Sequence, residues 1–200
     1  MGRERDVAAF DARAERYDRG RVGGWHGQVV DATCRIALTA APRAASVLDV
    51  GCGTGRLLRM LASGLESASE LTGVDPSASM IEVARRGNTV HNALAFVVGA
   101  AEALPVPDDS IDLIVTTTSF DHWADQGAGL SECHRVLRTG GRLVLADLIA
   151  PTLWPTTVVG RRGKARTPRQ VARLLDEAAL RPEKWQKLST MIRAVTATAT

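Results

Sequence analysis

The run Val47-Leu48-Asp49-Val50-Gly51-Cys52-Gly53-Thr54-Gly55 constrains this chain more than any other stretch, because an apolar strand pattern ends there in three alternating glycines. A residue without Cβ takes positive φ readily and lets another group press against the main chain. Glycines at alternate positions after a buried strand therefore describe a tight strand-to-helix turn with exposed N–H groups. The following segment, Arg56-Leu57-Leu58-Arg59-Met60-Leu61, reads as a helix whose N-terminal partial positive charge is aimed at the same spot. Such a unit is built to hold a ligand of nucleotide type.

Spacing narrows the choice of nucleotide. The dinucleotide fingerprint is G-x-G-x-x-G, whose third glycine allows close helix–strand packing. Here the pattern is G-x-G-x-G and position 56 is Arg, so a nicotinamide-dependent oxidoreductase is a poor reading. A second strand pattern, Leu71-Thr72-Gly73-Val74-Asp75, ends in a carboxylate. Asp75 follows the glycine turn by about 20 residues, the separation at which a strand-end acid meets ribose hydroxyls.

Around this unit, strand patterns near 46–50, 71–75, 94–98, 111–116 and 142–148 alternate with helical ones, which predicts a parallel sheet covered on both faces. Arg5 to Leu38 reads as helix broken near Gly20 to Gly24, with Val29, Val30, Ile36 and Leu38 on its apolar face. Gly64 and Gly87 stand where C-terminal caps belong. Thr167-Pro168-Arg169-Gln170 has the form of a capping box, opening a helix through Leu180. Segments near 183–189 and 191–198 complete the pattern as strands.

The 200 residues suit one α/β domain. A net charge of +3 is too mild for an electrostatic footprint on nucleic acid. Cys34, Cys52 and Cys133 are odd in number and widely spaced, so they indicate neither a disulfide framework nor a zinc site. His26, His91 and His134 lack partners at metal-ligand spacing and are expected on the surface or in the core. No metal is expected. The charged start and the lack of a long apolar stretch point to a cytoplasmic protein with no membrane partner.

Four motifs in order, LDVGCGTG, VDPSASMIEVARR, AEALPVPDDSIDLIV and RVLRTGGRLVLADL, resemble the class I S-adenosylmethionine-dependent methyltransferases, in particular the small proteins similar to ubiquinone/menaquinone-biosynthesis methyltransferases. The resemblance runs from about Phe10 to the C-terminus. It implies a Rossmann-like, doubly wound sheet of seven strands, mostly parallel with an antiparallel last strand. It also implies an N-terminal helical lid over residues 1–40 and a core over 46–200, with S-adenosyl-L-methionine as cofactor. By matching motif positions, Gly51, Cys52, Gly53 and Gly55 line the turn against the methionine and ribose portions. Asp49 lies near the methionine amino group, Asp75 takes the ribose, and Pro76 and Met80 stand on the apolar side of the adenine pocket. Tyr17 belongs to the lid, and Thr116 opens the substrate-side loop.

Two departures from the family pattern stand out. Relatives commonly read Gly-Asp-Ala-Glu after the third strand, with the aspartate accepting from the adenine amino group. This chain has Gly99-Ala100-Ala101-Glu102. A charge-assisted hydrogen bond is worth about 1.5–3 kcal/mol, so its loss implies cofactor binding weaker by roughly one to two orders of magnitude, unless the Ala101 backbone or Glu102 compensates. In some related O-methyltransferases a loop histidine and a strand-end aspartate assist deprotonation. Here His122 and Asp147 are kept, while Asp121 stands where relatives often have a first histidine.

The leading expectation is methyl transfer to oxygen or nitrogen of a small metabolite. The cationic run Gly160 to Arg166 lies on the substrate side and suits an anionic acceptor. The short connection there leaves the site open or completed by a second subunit in a homodimer. A scaffold that binds the cofactor without efficient turnover is the second reading, motivated by Ala100 and Asp121.

Overall fold

A computed structural model describes residues 2–88, 93–151 and 165–200. Seven strands form one sheet: β1 (Ser46–Val50), β2 (Glu70–Asp75), β3 (Leu94–Val98), β4 (Ile111–Thr117), β5 (Leu137–Leu148), β6 (Leu180–Lys187) and β7 (Ile192–Ala199). Their order is β3-β2-β1-β4-β5-β7-β6. β7 runs antiparallel to both of its neighbours, whereas β1 to β5 pair in parallel. The Rossmann-like sheet with one reversed final strand is thus as expected.

The helices are α1 (Gly2–Asp11), α2 (Gly20–Ala40), α3 (Arg56–Gly64), α4 (Ala78–Arg86), α5 (Gln126–Val136) and α6 (Pro168–Glu177). Val30, Cys34 and Ala37 of α2, Leu57, Leu58 and Leu61 of α3 and Ile81 and Ala84 of α4 pack on one face of the sheet. On the other face, Leu130, Cys133 and Val136 of α5 and Val171 and Leu175 of α6 form a second cluster with Leu48, Ile114 and Leu145. β1 is buried along its whole length because both faces are covered.

Several boundaries differ from the expectation. The N-terminal helical stretch breaks between Asp11 and Gly20, around a 3₁₀ turn at Ala14–Arg16, and the glycine-bearing stretch lies inside α2. Burial of Val29, Val30, Thr33 and Ala37 outweighs the poor helix propensity of those glycines. Gly64 is the last residue of α3 rather than its cap, and a Cβ there would come within 2.9 Å of Leu38 on α2. Gly87 does occupy a C-cap, but with right-handed φ of −75°. The capping box forms as expected. Its helix stops at Glu177, since Ala179 takes φ of 55° and turns the chain so that Leu180 starts β6.

No described helix is long and apolar enough to cross a membrane. The cationic run falls outside the described residues from Gly160 to Lys164, as does His91.

Candidate active site

The strand order reverses between β1 and β4, and a cleft opens there, beyond the C-terminal ends of the strands. It encloses about 960 Å³, part of it open to solvent. Of the expected site residues, Tyr17, Asp49, Gly51, Cys52, Gly53, Asp75, Pro76, Met80, Ala100, Ala101, Glu102 and His122 all line it.

The glycine turn combines two requirements. Gly51, Gly53 and Gly55 all take left-handed φ, of 77°, 52° and 77°. A Cβ on Gly51 would come within 2.3 Å of Ser119, and one on Gly55 within 2.6 Å of the Phe96 ring. A Cβ on Gly53 would meet nothing within 4 Å. Gly51 and Gly53 both line the cleft, but only at Gly53 is the Cβ position open, while Gly51 closes on Ser119 and Gly55 on Phe96. Gly55 accordingly does not line the cleft.

Asp75 sits between this turn and the next. One carboxylate oxygen accepts from Gly53 N–H and the other from Ser77 N–H, both at 2.9 Å. Burial raises its pKa, against the opposing effect of those two donors. Asp49 lies beneath, 2% exposed, and burial together with the nearby Asp75 charge pushes its pKa up to about 8. Asp49 is therefore protonated at neutral pH until a cation arrives beside it. The thiol of Cys52 is raised well above its ordinary range by burial and is inert.

Met80 is buried on α4, whose N-cap Ser77 accepts from Met80 N–H at 3.1 Å. Ala100 leaves the third-strand side of the cleft without a carboxylate at that position. Glu102 does not take its place, because its Oε1 accepts from Ala124 N–H at 2.7 Å and Asp125 N–H at 3.1 Å.

The segment before α2 covers the cleft by placing carboxylates on core helix starts. Asp11 Oδ1 accepts from Ser77 Oγ at 2.6 Å and Ser79 N–H at 3.2 Å, which lowers its pKa. Asp18 accepts from Thr54 Oγ1 at 2.7 Å, just before α3. The Arg13 guanidinium lies 4.0 Å over Phe10, and Arg86 pairs with Glu15. Rings run along this cover: His122 to Phe10 at 5.0 Å, Phe10 to Tyr17 at 6.1 Å and Tyr17 to His26 at 5.1 Å.

Three residues expected at the acceptor end lie elsewhere. Thr116 is buried in β4 with its hydroxyl 2.8 Å from Ser119 Oγ, and the wall begins one residue later at Thr117. Asp147 is buried under the 3₁₀ turn Phe120–His122, where its carboxylate accepts from Asp121 N–H at 3.4 Å and from Leu148 N–H. Burial and the Asp121 charge raise its pKa well above the usual range. Asp121 is buried too, and its Oδ1 lies 3.4 Å from His122 Nε2. The acid pair supports the turn from below instead of facing the cleft. His122 does face it, with Nδ1 3.6 Å from Asp6 Oδ2.

Sequence reading missed Ser119 and His26. Ser119 donates to Val50 O at 2.9 Å and accepts from Trp123 Nε1 at 3.3 Å, tying the β4 loop to the glycine turn. His26 lines the cleft from α2, not the surface or the core. Its only sequence signal is its place in the N-terminal helical stretch.

The description "methyltransferase domain" matches residues 48–145. That span covers the glycine turn, Asp75, Ala100 and the β4 loop. The chain is similar to the methyltransferases of that family over just under half of its length. It is 35% identical over 149 residues to a demethylmenaquinone methyltransferase of Thermotoga maritima, covering 71% of this chain and 61% of that one. It is 37% identical over 145 residues to a malonyl-[acyl-carrier protein] O-methyltransferase of Methylococcus capsulatus, covering 72% and 52%. With a further relative of which it spans 32%, the chain covers about a third to three-fifths of these curated methyltransferase-family and related proteins. Among solved structures, an S-adenosylmethionine-dependent methyltransferase from Aquifex aeolicus has the same fold, with a TM-score of 0.74 at 18% identity over 95% of this chain and 98% of that one.

Proposed function

We propose that the protein transfers the methyl group of S-adenosylmethionine to an oxygen or nitrogen of a small metabolite. The observation that carries this reading is the pairing of Asp75 with the bare Gly53 turn. A buried carboxylate faces the cleft beside the one turn glycine whose missing side chain leaves open space. The donor set fits the cofactor: Asp75 for ribose hydroxyls, Asp49 for an ammonium, Pro76 and Met80 for an apolar ring face. When bound, S-adenosylmethionine supplies a methyl group on a positively charged sulfur, already activated for in-line displacement.

The protein's own work is then mainly positioning and exclusion of water. Gly51 and Gly53 shape the turn, Asp49 and Asp75 hold two polar points, and the Asp11 and Asp18 contacts close the cover. Ala100 and Ala101 contribute backbone and apolar surface where relatives place an acid. His122 and His26 suit an acceptor that carries a proton on a heteroatom. The lining carboxylates Asp6, Asp75 and Glu102 outnumber the one lining arginine, Arg56, so among the described residues the cleft favours a neutral acceptor over the anionic one suggested by the cationic run. The names of the curated relatives include O- and C-methyltransferases, which makes the acceptor atom the point to test.

Incubation with methyl-tritiated S-adenosylmethionine and a panel of phenols, amines and ring N–H compounds should yield a labelled O- or N-methyl product. Products labelled only at carbon would overturn the acceptor assignment. Binding of S-adenosylhomocysteine without transfer to any compound would favour the scaffold reading.

A further inference from the structure

His26 was expected to be a bland residue, yet it stands at the acceptor end of the cleft. The sheet order β2-β1-β4 sets the geometry. The ribose acid Asp75 ends β2, and the methionine-facing turn Gly51 to Gly53 follows β1. The next strand end along that line is β4, whose Thr117, Thr118 and Ser119 form the cleft wall. A methyl donor laid from Asp75 toward Gly51 would present its methyl group toward this wall. His26 reaches the wall from α2, with Nε2 2.8 Å from Thr118 Oγ1. Thr118 itself holds φ of 52°, a left-handed conformation that strains a β-branched residue and is concentrated at functional sites. No other hydrogen bond to His26 forms among the described residues.

Resting on the methyltransferase reading, we propose that His26 is the base for the acceptor, with Nε2–H donating to Thr118 Oγ1 and Nδ1 left to take the acceptor's proton. As the acceptor heteroatom bonds to the methyl carbon, the carbon–sulfur bond breaks and its electron pair stays on sulfur. The proton passes from the heteroatom to Nδ1 and later to water. Neutral imidazole is the form required. The surroundings supply it, because burial lowers the His26 pKa; Asp18 on the cover opposes this and Arg56 on α3 adds to it. Tyr17 packs edge-on against the ring. His122 instead has its ring nitrogens 3.6 Å from Asp6 Oδ2 and 3.4 Å from Asp121 Oδ1.

The test uses full-length protein with ¹⁵N-labelled histidine, saturated with S-adenosylhomocysteine, and phenol as the acceptor probe. Long-range ¹H–¹⁵N spectra at neutral pH should show His26 protonated at Nε2 and bare at Nδ1, and phenol should move the Nδ1 resonance. A His26 bare at Nε2, or phenol that moves only His122 or neither histidine, overturns the proposal. S-adenosylhomocysteine binding is read in the same sample, so its failure would count against the methyltransferase reading separately. Gln at position 26 keeps a donor for Thr118 without the basicity. On any acceptor that the wild type methylates, His26→Gln should lower kcat by about 100-fold and remove the acid limb of the pH profile, with homocysteine-product affinity unchanged. Retained kcat in His26→Gln would mark the residue as a tie between α2 and β4 and overturn its role as base.

Discussion

The two ends of the cleft are made in different ways. At the β1–β2 end the polar groups that face the ligand are held by the main chain: Gly53 and Ser77 N–H grip Asp75. At the β4–β5 end they are held by side chains from distant segments: His26 by Thr118 and His122 beside Asp6. A backbone-built site is written in a short run of sequence, because glycine spacing and a strand-end acid carry its geometry. A site assembled from side chains is written in no single run.

The largest effect should come from the contrast within the glycine turn. Gly51→Val meets both a left-handed φ and the Ser119 side chain. It should lower stability by several kcal/mol, roughly 1–2 of them from the backbone conformation, and abolish S-adenosylhomocysteine binding. Gly53→Ala has open space and should cost only about 1–2 kcal/mol of stability, with affinity falling more than the melting temperature suggests. Equal losses at the two positions would break the distinction between a glycine that serves the fold and one that serves the ligand.

Asp147 sharpens the other side of the comparison. Asp147→Ala removes the acceptor for buried N–H groups of the turn and should destabilise the protein by about 1–3 kcal/mol. Asp147→Asn keeps an acceptor oxygen and removes the ionisation. The folded-state pKa of Asp147 lies above its unfolded value of 3.8, so the wild type loses stability as pH rises from that value. Asn at this position should flatten that loss in denaturation curves taken across pH. A catalytic Asp147 would instead show its defect in kcat at unchanged stability.

A smaller effect is expected at the third strand end. Ala100→Asp should tighten S-adenosylhomocysteine binding by about tenfold, one charge-assisted hydrogen bond's worth. Unchanged or weaker affinity would show that the adenine side is satisfied without a carboxylate.

The smallest effect is a proton count. Asp49, with a pKa of about 8, is protonated at pH 7, and a ligand ammonium beside it favours the ionised form. Binding at pH 7 should release a fraction of a proton and strengthen as pH rises toward 8. Calorimetry in buffers of different ionisation enthalpy reads the release, and Asp49→Asn should remove it.

Much of this architecture was legible in the sequence. Alternation of strand and helix patterns gave the sheet, and the resemblance gave its reversed last strand. The residues the four motifs single out around β1 to β3 line the cleft, apart from Gly55, whose glycine serves Phe96. The acceptor end was legible only in outline. Asp121 and Asp147 stand in the sequence where relatives carry groups that assist deprotonation, but the packing of the 3₁₀ turn on β5 buries them. His26 looked unremarkable because its partner Thr118 is 92 residues away. Helix breaks were misplaced where glycine was taken as punctuation: tertiary burial along α2 outweighs it there, and Gly64 is the last residue of α3, beside Leu38.

The most direct measurement is calorimetric titration of the purified protein with S-adenosylhomocysteine, S-adenosylmethionine and NADH, repeated on Asp75→Asn. Selective binding of the first two, weakened at least tenfold by the substitution, is the result the account predicts. NADH binding, or homocysteine-product binding indifferent to Asp75, would contradict it.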